Sequence, residues 1–193
     1  MEQALYDSTT YGPAVADILN LPRTEALGPG TPTAAAYPLL KALTPEQLTH
    51  GAPLRNRDMG QACLAGLWLY HAYLDESHRI SQSISNSTGN FWHGIMHRQE
   101  PDAWNSQYWF DRVGAHPVFP DLALAARQVA SGMTLPAEAR FLLEQSTWNP
   151  HRFVDLCESA RLGRVDAVDL CLQIQAAEWR LLFAYCYRLA VST

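Results

Sequence analysis

The stretch that decides the fold is Asn90-Phe91-Trp92-His93-Gly94-Ile95-Met96-His97-Arg98-Gln99-Glu100-Pro101-Asp102-Ala103-Trp104-Asn105-Ser106-Gln107-Tyr108-Trp109-Phe110-Asp111-Arg112-Val113-Gly114. It contains no alternating β-branched pattern. Pro101 disfavours helical geometry at Glu100, so a helix over Asn90 to about Gln99 ends there. Asp102 is an N-cap for a second helix, Ala103 to Val113, and Gly114 stands where a left-handed residue is wanted. The stretch therefore reads as two helices joined by a tight turn.

Working outward, the same helical grammar continues in both directions. Asp58 followed by Gln61 resembles a capping box, and Leu64, Leu67, Trp68 and Leu74 carry the apolar spacing of one long helix reaching towards Ser85. Downstream, Asp121 to Ser131 is amphipathic and ends at Gly132, and Pro136 to Gln145 is a further helix. Asn149-Pro150 is an N-cap with proline at the first helical position, opening a helix to Leu162 before Gly163. Val165 to about Val191 reads as one long final helix. Residues 1–57 form an irregular Pro-rich arm with short helices at Ala14 to Leu19 and Pro45 to Thr49, while residues 58–193 form the helical domain. The expected fold is all-α, one structural domain built as a globular bundle of about seven or eight helices.

Composition narrows the function classes. The chain has 193 residues, enough for one domain with a substantial core. Apolar residues make up 48% and charged residues 17%, which excludes disorder. The net charge of -5, with Lys41 the only lysine and the arginines scattered, argues against a nucleic-acid partner. The longest apolar stretch, Ala62 to Leu74, is too short to span a bilayer, so no membrane partner is expected. Met1 to Asn20 has no basic or apolar leader pattern, and Cys63, Cys157, Cys171 and Cys186 are far apart in sequence. Both features fit a cytoplasmic protein with reduced core cysteines. A homo-oligomer is compatible with all of this.

The seven histidines suggest a site. On a helix, His93, Met96, His97 and Glu100 fall at i, i+3, i+4 and i+7 and share a stripe. Leu64, His71 and His78 recur every seven residues along the expected long helix, which makes His71 a third candidate ligand beside His93 and His97 for a divalent metal such as zinc. His97 and Glu100 are the candidate catalytic pair, with Glu100 as base or fourth ligand. Arg98, Asp102, Asn105, Tyr108, Trp109, Arg112 and His116 are the candidate substrate-binding residues around them, and His78 and His116 are placed as support. Metal-assisted or His-assisted hydrolysis suits these groups. A histidine on an apolar face is more often a hydrogen-bonded core residue, and Gly94 stands where the zincin helix carries its general base. The alternative is a non-catalytic helical interaction protein whose polar cluster is structural and whose exposed aromatics accept a protein partner.

Two resemblances bear on this reading. Trp92 to Arg98, Glu100 to Asp102, Asn105, Tyr108 to Phe110, Arg112 to Gly114 and His116 to Phe119, with Phe153 to Glu158 and Ile174 to Tyr187, resemble an uncharacterised family of small all-helical microbial proteins. The likeness spans about residues 58 to 190 and implies no particular reaction. Gly94, Ser106, Phe110 and Val113 also resemble the spacing of a tetratricopeptide hairpin, with the turn at Glu100-Pro101. Asn90, His97 and Pro117 depart from that pattern, and with no second convincing copy the likeness implies one TPR-like antiparallel hairpin within a bundle.

Overall fold

The computed structural model describes residues 8–192, and among them every regular element is helical. After a 3₁₀ turn at Ser8–Tyr11 come α1 (Pro13–Leu19), α2 (Ala36–Ala42), α3 (Pro45–Leu48), α4 (Arg57–Tyr70), α5 (Leu74–Gln82) and α6 (Ser87–Gln99). They are followed by α7 (Ala103–Val113), α8 (Phe119–Ser131), α9 (Phe141–Glu144), α10 (Pro150–Arg161) and α11 (Val168–Val191). No helix among the described residues is long and apolar enough to cross a membrane.

Local side-chain caps set five of the eleven α-helix starts among the described residues. Asn56, Asn86, Asp102 and Asn149 each accept a backbone N–H of the helix they open, and Thr44 with Gln47 forms a reciprocal capping box. These side chains satisfy donors that the first turn leaves without an intrahelical partner.

The core is organised around α4 and α11. Cys63, Ala65 and Leu67 of α4 and Leu182, Phe183 and Cys186 of α11 are buried. The Trp179 indole N–H donates to the Gly66 carbonyl at 2.8 Å. A side chain at Gly66 would begin 2.7 Å from the ring of buried Trp92, so glycine there lets α6 close onto α4.

Apolar side chains of the N-terminal arm pack into this core. Val15, Ile18, Leu19, Leu27, Leu40 and Leu48 enter the same apolar cluster as the later helices. Gln175 Nε2 donates to the Ala26 carbonyl at 3.1 Å, and Arg55 N to the Ala190 carbonyl at 2.7 Å.

Four expectations about elements require correction. The long helix expected from Asp58 to near Ser85 is broken after Tyr70, where Ala72 takes a positive φ of 62° and α5 starts at Leu74. The cause is tertiary: the Thr33 N–H donates to the His71 carbonyl at 3.2 Å, and the Tyr73 hydroxyl donates to the Thr33 carbonyl at 3.1 Å. Pro136 to Gln145 holds only a 3₁₀ turn at Ala137–Ala139 and the single-turn α9. Val165 lies in the loop that precedes α11, which starts at Val168. With α2 and the divided α4–α5 segment, the described residues contain eleven α-helices rather than seven or eight.

Candidate functional site

The site lies on α6 and the elements that flank it. Helices α6 and α7 run antiparallel, as three pairs of contacts show. Asn90 Nδ2 donates to the Arg112 carbonyl at 3.1 Å, His93 stacks on Trp109, and Ser106 Oγ donates to the Gly94 carbonyl at 2.8 Å. Gly94 makes this approach possible, since a Cβ there would sit 3.0 Å from the Phe110 ring.

On the same side of α6 three imidazoles converge. His78 from α5, His93 and His97 each offer a ligand nitrogen, and these atoms lie within 4.8 Å of one another. The His93 ring is sandwiched between Trp109, with centroids 3.8 Å apart, and His97 at 4.9 Å. The half-buried His78 meets the edges of both, at 4.6 Å from His93 and 5.3 Å from His97. Only His93 and His97 of the expected ligand trio come together, and His78 completes the set.

Electrostatics disfavour charge on both α6 imidazoles. Burial pushes His93 down to about 3, with His78 and His97 adding repulsion. Burial also lowers His97, opposed by its hydrogen bond and attraction to Glu100. His97 Nδ1 lies 2.9 Å from Glu100 Oε2. A neutral His97 that donates from Nδ1 keeps the lone pair on Nε2, which is the tautomer a metal needs. His93 is 1% exposed, yet neither of its ring nitrogens has a hydrogen-bond partner. An unpaired buried polar atom of this kind costs about 1–3 kcal/mol, so the cluster lacks a binding partner for at least one nitrogen.

The donor set fits a zinc-type ion. Three imidazoles with one open position form a known catalytic ligand set. Ligand nitrogens around a tetrahedral zinc at about 2.1 Å would be about 3.4 Å apart, so modest side-chain rotations would close the observed spacing. His97, Glu100 and Asp102 form a second convergent group on the solvent side, with Glu100 exposed.

The other expected site residues have more varied positions. His71 is the C-cap of α4, and its Nε2 lies 2.9 Å from the Ile18 carbonyl. Because the chain turns at Ala72, the seven-residue spacing from His71 to His78 does not continue on one helix, and His71 is tied to the N-terminal arm instead. Arg98 turns towards α11, where its guanidinium pairs with Glu178; Nη2 meets Oε2, and Nη1 donates to Oε1 at 3.3 Å. Both side chains are buried, and the Arg98 guanidinium lies 4.8 Å from the centre of the Phe153 ring. Sequence spacing could not have shown this pair, whose partners are 80 residues apart.

Asp102 accepts from Asn105 N at 3.0 Å and from Asn105 Nδ2 at 2.6 Å, so these two residues cap α7. Trp109 covers one face of His93. Tyr108 and Arg112 lie on the exposed side of α7, with the guanidinium 3.5 Å above the Tyr108 ring and Trp104 stacked on Tyr108 at 5.9 Å. His116 is buried away from the imidazole cluster among Phe91, Phe119 and Tyr185. The Val118 N–H donates to its Nδ1 at 3.2 Å, so its Nε2–H donates to Thr88 Oγ1, also at 3.2 Å. Burial pushes His116 down to about 4.

Comparison of the chain with protein-family models, with curated proteins and with solved structures finds no match.

Proposed function

We propose that the protein binds a divalent transition metal of the zinc type through His78, His93 and His97. The observation that carries this reading is the buried His93 imidazole with neither nitrogen satisfied, set against two further imidazoles. Glu100 acts as a positioning residue. It accepts from His97 Nδ1–H, as carboxylates commonly do behind metal-bound histidines.

The open position directs the chemistry towards hydrolysis, in which a bound metal supplies a Lewis acid and an activated water. The exposed Glu100 carboxylate, one turn from the cluster, is placed to take up a proton from solvent-side chemistry. Tyr108 and Arg112 on the outer face of α7 are the substrate contacts of this reading. The glycine contact with Phe110 and the Ser106 hydrogen bond to Gly94 support the TPR-like reading of the α6–α7 hairpin. Four buried free cysteines support residence in a reducing, cytoplasmic compartment.

One observation favours the non-catalytic alternative. Trp104 is 73% exposed and continues the Tyr108–Arg112 stack along α7, which is the kind of aromatic surface that takes a protein partner.

Titration with Co(II), followed by its visible absorption, tests the metal reading. The expected result is one saturable tetrahedral-type spectrum per chain, lost in His93→Ala. A spectrum that never departs from that of aqueous Co(II) would overturn the metal site.

A further inference from the structure

A second site lies outside the imidazole cluster, where the C-terminal end of α7 diverges from α10. A cleft of about 510 Å³ opens there, within the size range of small-molecule pockets. Phe110, Phe119, Trp148 and Pro150 give its lining a large apolar, mostly aromatic share. His116 adds a ring with no free polar atom, because Thr88 and Val118 engage both nitrogens.

The ionisable groups of the lining besides His116 are Asp111 and His151, and Ser146, Thr147 and the buried Trp148 Nε1–H, which has no hydrogen-bond partner, add further polar groups. His151 Nε2 lies 2.9 Å from Asp111 Oδ1, and these side chains remain 40% and 68% exposed. Exposed pairs of this kind contribute little to stability and exchange partners easily. The rim therefore offers a carboxylate for a cationic group next to an imidazole N–H for an anionic one.

The walls are fixed before any ligand arrives. Asn149 N donates to Gln145 Oε1 at 3.1 Å, and Arg127 Nη2 donates to the Gln145 carbonyl at 2.8 Å, which anchors the 145–149 loop. Trp148 packs on Phe153 with ring centroids 5.0 Å apart. On the opposite side Gly114 leaves the space open, since a Cβ there would meet nothing within 4 Å.

We infer that this cleft binds an aromatic α-amino acid or a close analogue, with its ring against Phe110, Phe119 and Trp148 and its ammonium and carboxylate on Asp111 and His151. A ring alone would leave Asp111 and His151 unused, and a charged head alone would leave the aromatic lining uncovered. Both halves of the ligand are therefore needed for affinity. The assignment does not depend on the metal site.

Isothermal titration of the full chain with L-tryptophan, L-phenylalanine, L-alanine and 3-methylindole tests the inference. One saturable site per chain is expected for at least one aromatic amino acid, with alanine and methylindole weaker by about tenfold or more. Ala115→Trp fills the cleft from an exposed position and is expected to abolish binding, while Asp111→Ala weakens it by about tenfold. Both variants are checked by their unfolding temperatures against the parent, and Asp111→Ala carries the test if Ala115→Trp fails to fold. Absence of saturable binding, or binding unchanged in both folded variants, would overturn the site. Methylindole binding as tightly as L-tryptophan would overturn the ligand class.

Discussion

Replacing Glu178 with Gln keeps the shape of the side chain while removing the negative charge opposite Arg98. In the native protein the two side chains are 2% and 0% exposed, so solvent screens neither. Burial opposes the Arg98 charge, but Glu178 outweighs it and holds the guanidinium above its ordinary value. Among the described residues no other carboxylate pairs with Arg98, and the neighbouring Glu158 is engaged by Arg161. Burial pushes the neighbouring Cys157 thiol well up, so it stays neutral. The Arg98 Nε–H already lacks an acceptor.

An uncompensated buried charge of this sort costs about 3–5 kcal/mol. The Phe153 ring below the guanidinium survives in the variant, which favours the lower part of that range. For a chain of this size each kcal/mol moves the unfolding temperature by about 2–4 °C, so Glu178→Gln is expected to lose about 6–20 °C. Urea unfolding followed by far-UV circular dichroism measures the free energy, and a thermal scan checks it. The double variant Arg98→Met, Glu178→Leu removes both charges and is expected to recover most of the loss or exceed the parent. A single variant within about 1 kcal/mol of the parent, or a double variant as unstable as the single, would refute this account of the pair.

Three further outcomes follow from the same geometry. His93 and His116 are held at about 3 and about 4 when folded, against about 6.5 when unfolded, so the unfolded chain binds more protons at mildly acid pH. Metal-free protein should therefore be fully stabilised above about pH 6.5 and lose about 2 kcal/mol per histidine by pH 5, with His93→Phe and His116→Phe each flattening that slope in urea titrations. Gly89→Ala places a Cβ 2.2 Å from the Ile84 carbonyl oxygen, a backbone atom that cannot swing aside. It is expected to cost near the top of the about 1–3 kcal/mol range for overpacking, and denaturation at parental stability would contradict it. Glu100→Gln should weaken metal binding by about tenfold to a hundredfold while leaving the unfolding temperature of the metal-free protein close to that of the parent, since the Glu100 carboxylate is exposed.

Much of the fold is written locally. Asp102, Gly114, Asn149-Pro150 and Thr44-Pro45 act through their own backbone neighbourhood, and the elements they delimit are where sequence reasoning puts them. The break after Tyr70 is different in kind. No glycine or proline lies between Tyr70 and Leu74, and the positive φ at Ala72 is imposed by hydrogen bonds exchanged with Thr33 in the distant arm. That break removes His71 from the stripe and brings in His78 from α5, which sequence periodicity placed only as support, on the same face as His71 of one continuous helix. The α6 part of the site was legible because His93 and His97 share one helical face. Arg98 was not, because its direction depends on Glu178 on the last helix. Asp102 was legible as a cap, but not that the Asn105 side chain would also donate to it and so be drawn into the start of α7.

The central claim is that His78, and not His71, completes a metal site with His93 and His97. Its most direct test is the zinc content per chain of His78→Ala and His71→Ala, measured side by side with the parent after equilibrium dialysis against zinc. One zinc per chain is expected in the parent and in His71→Ala, and none retained in His78→Ala. Zinc lost from His71→Ala but kept by His78→Ala, or no zinc in the parent, would contradict it.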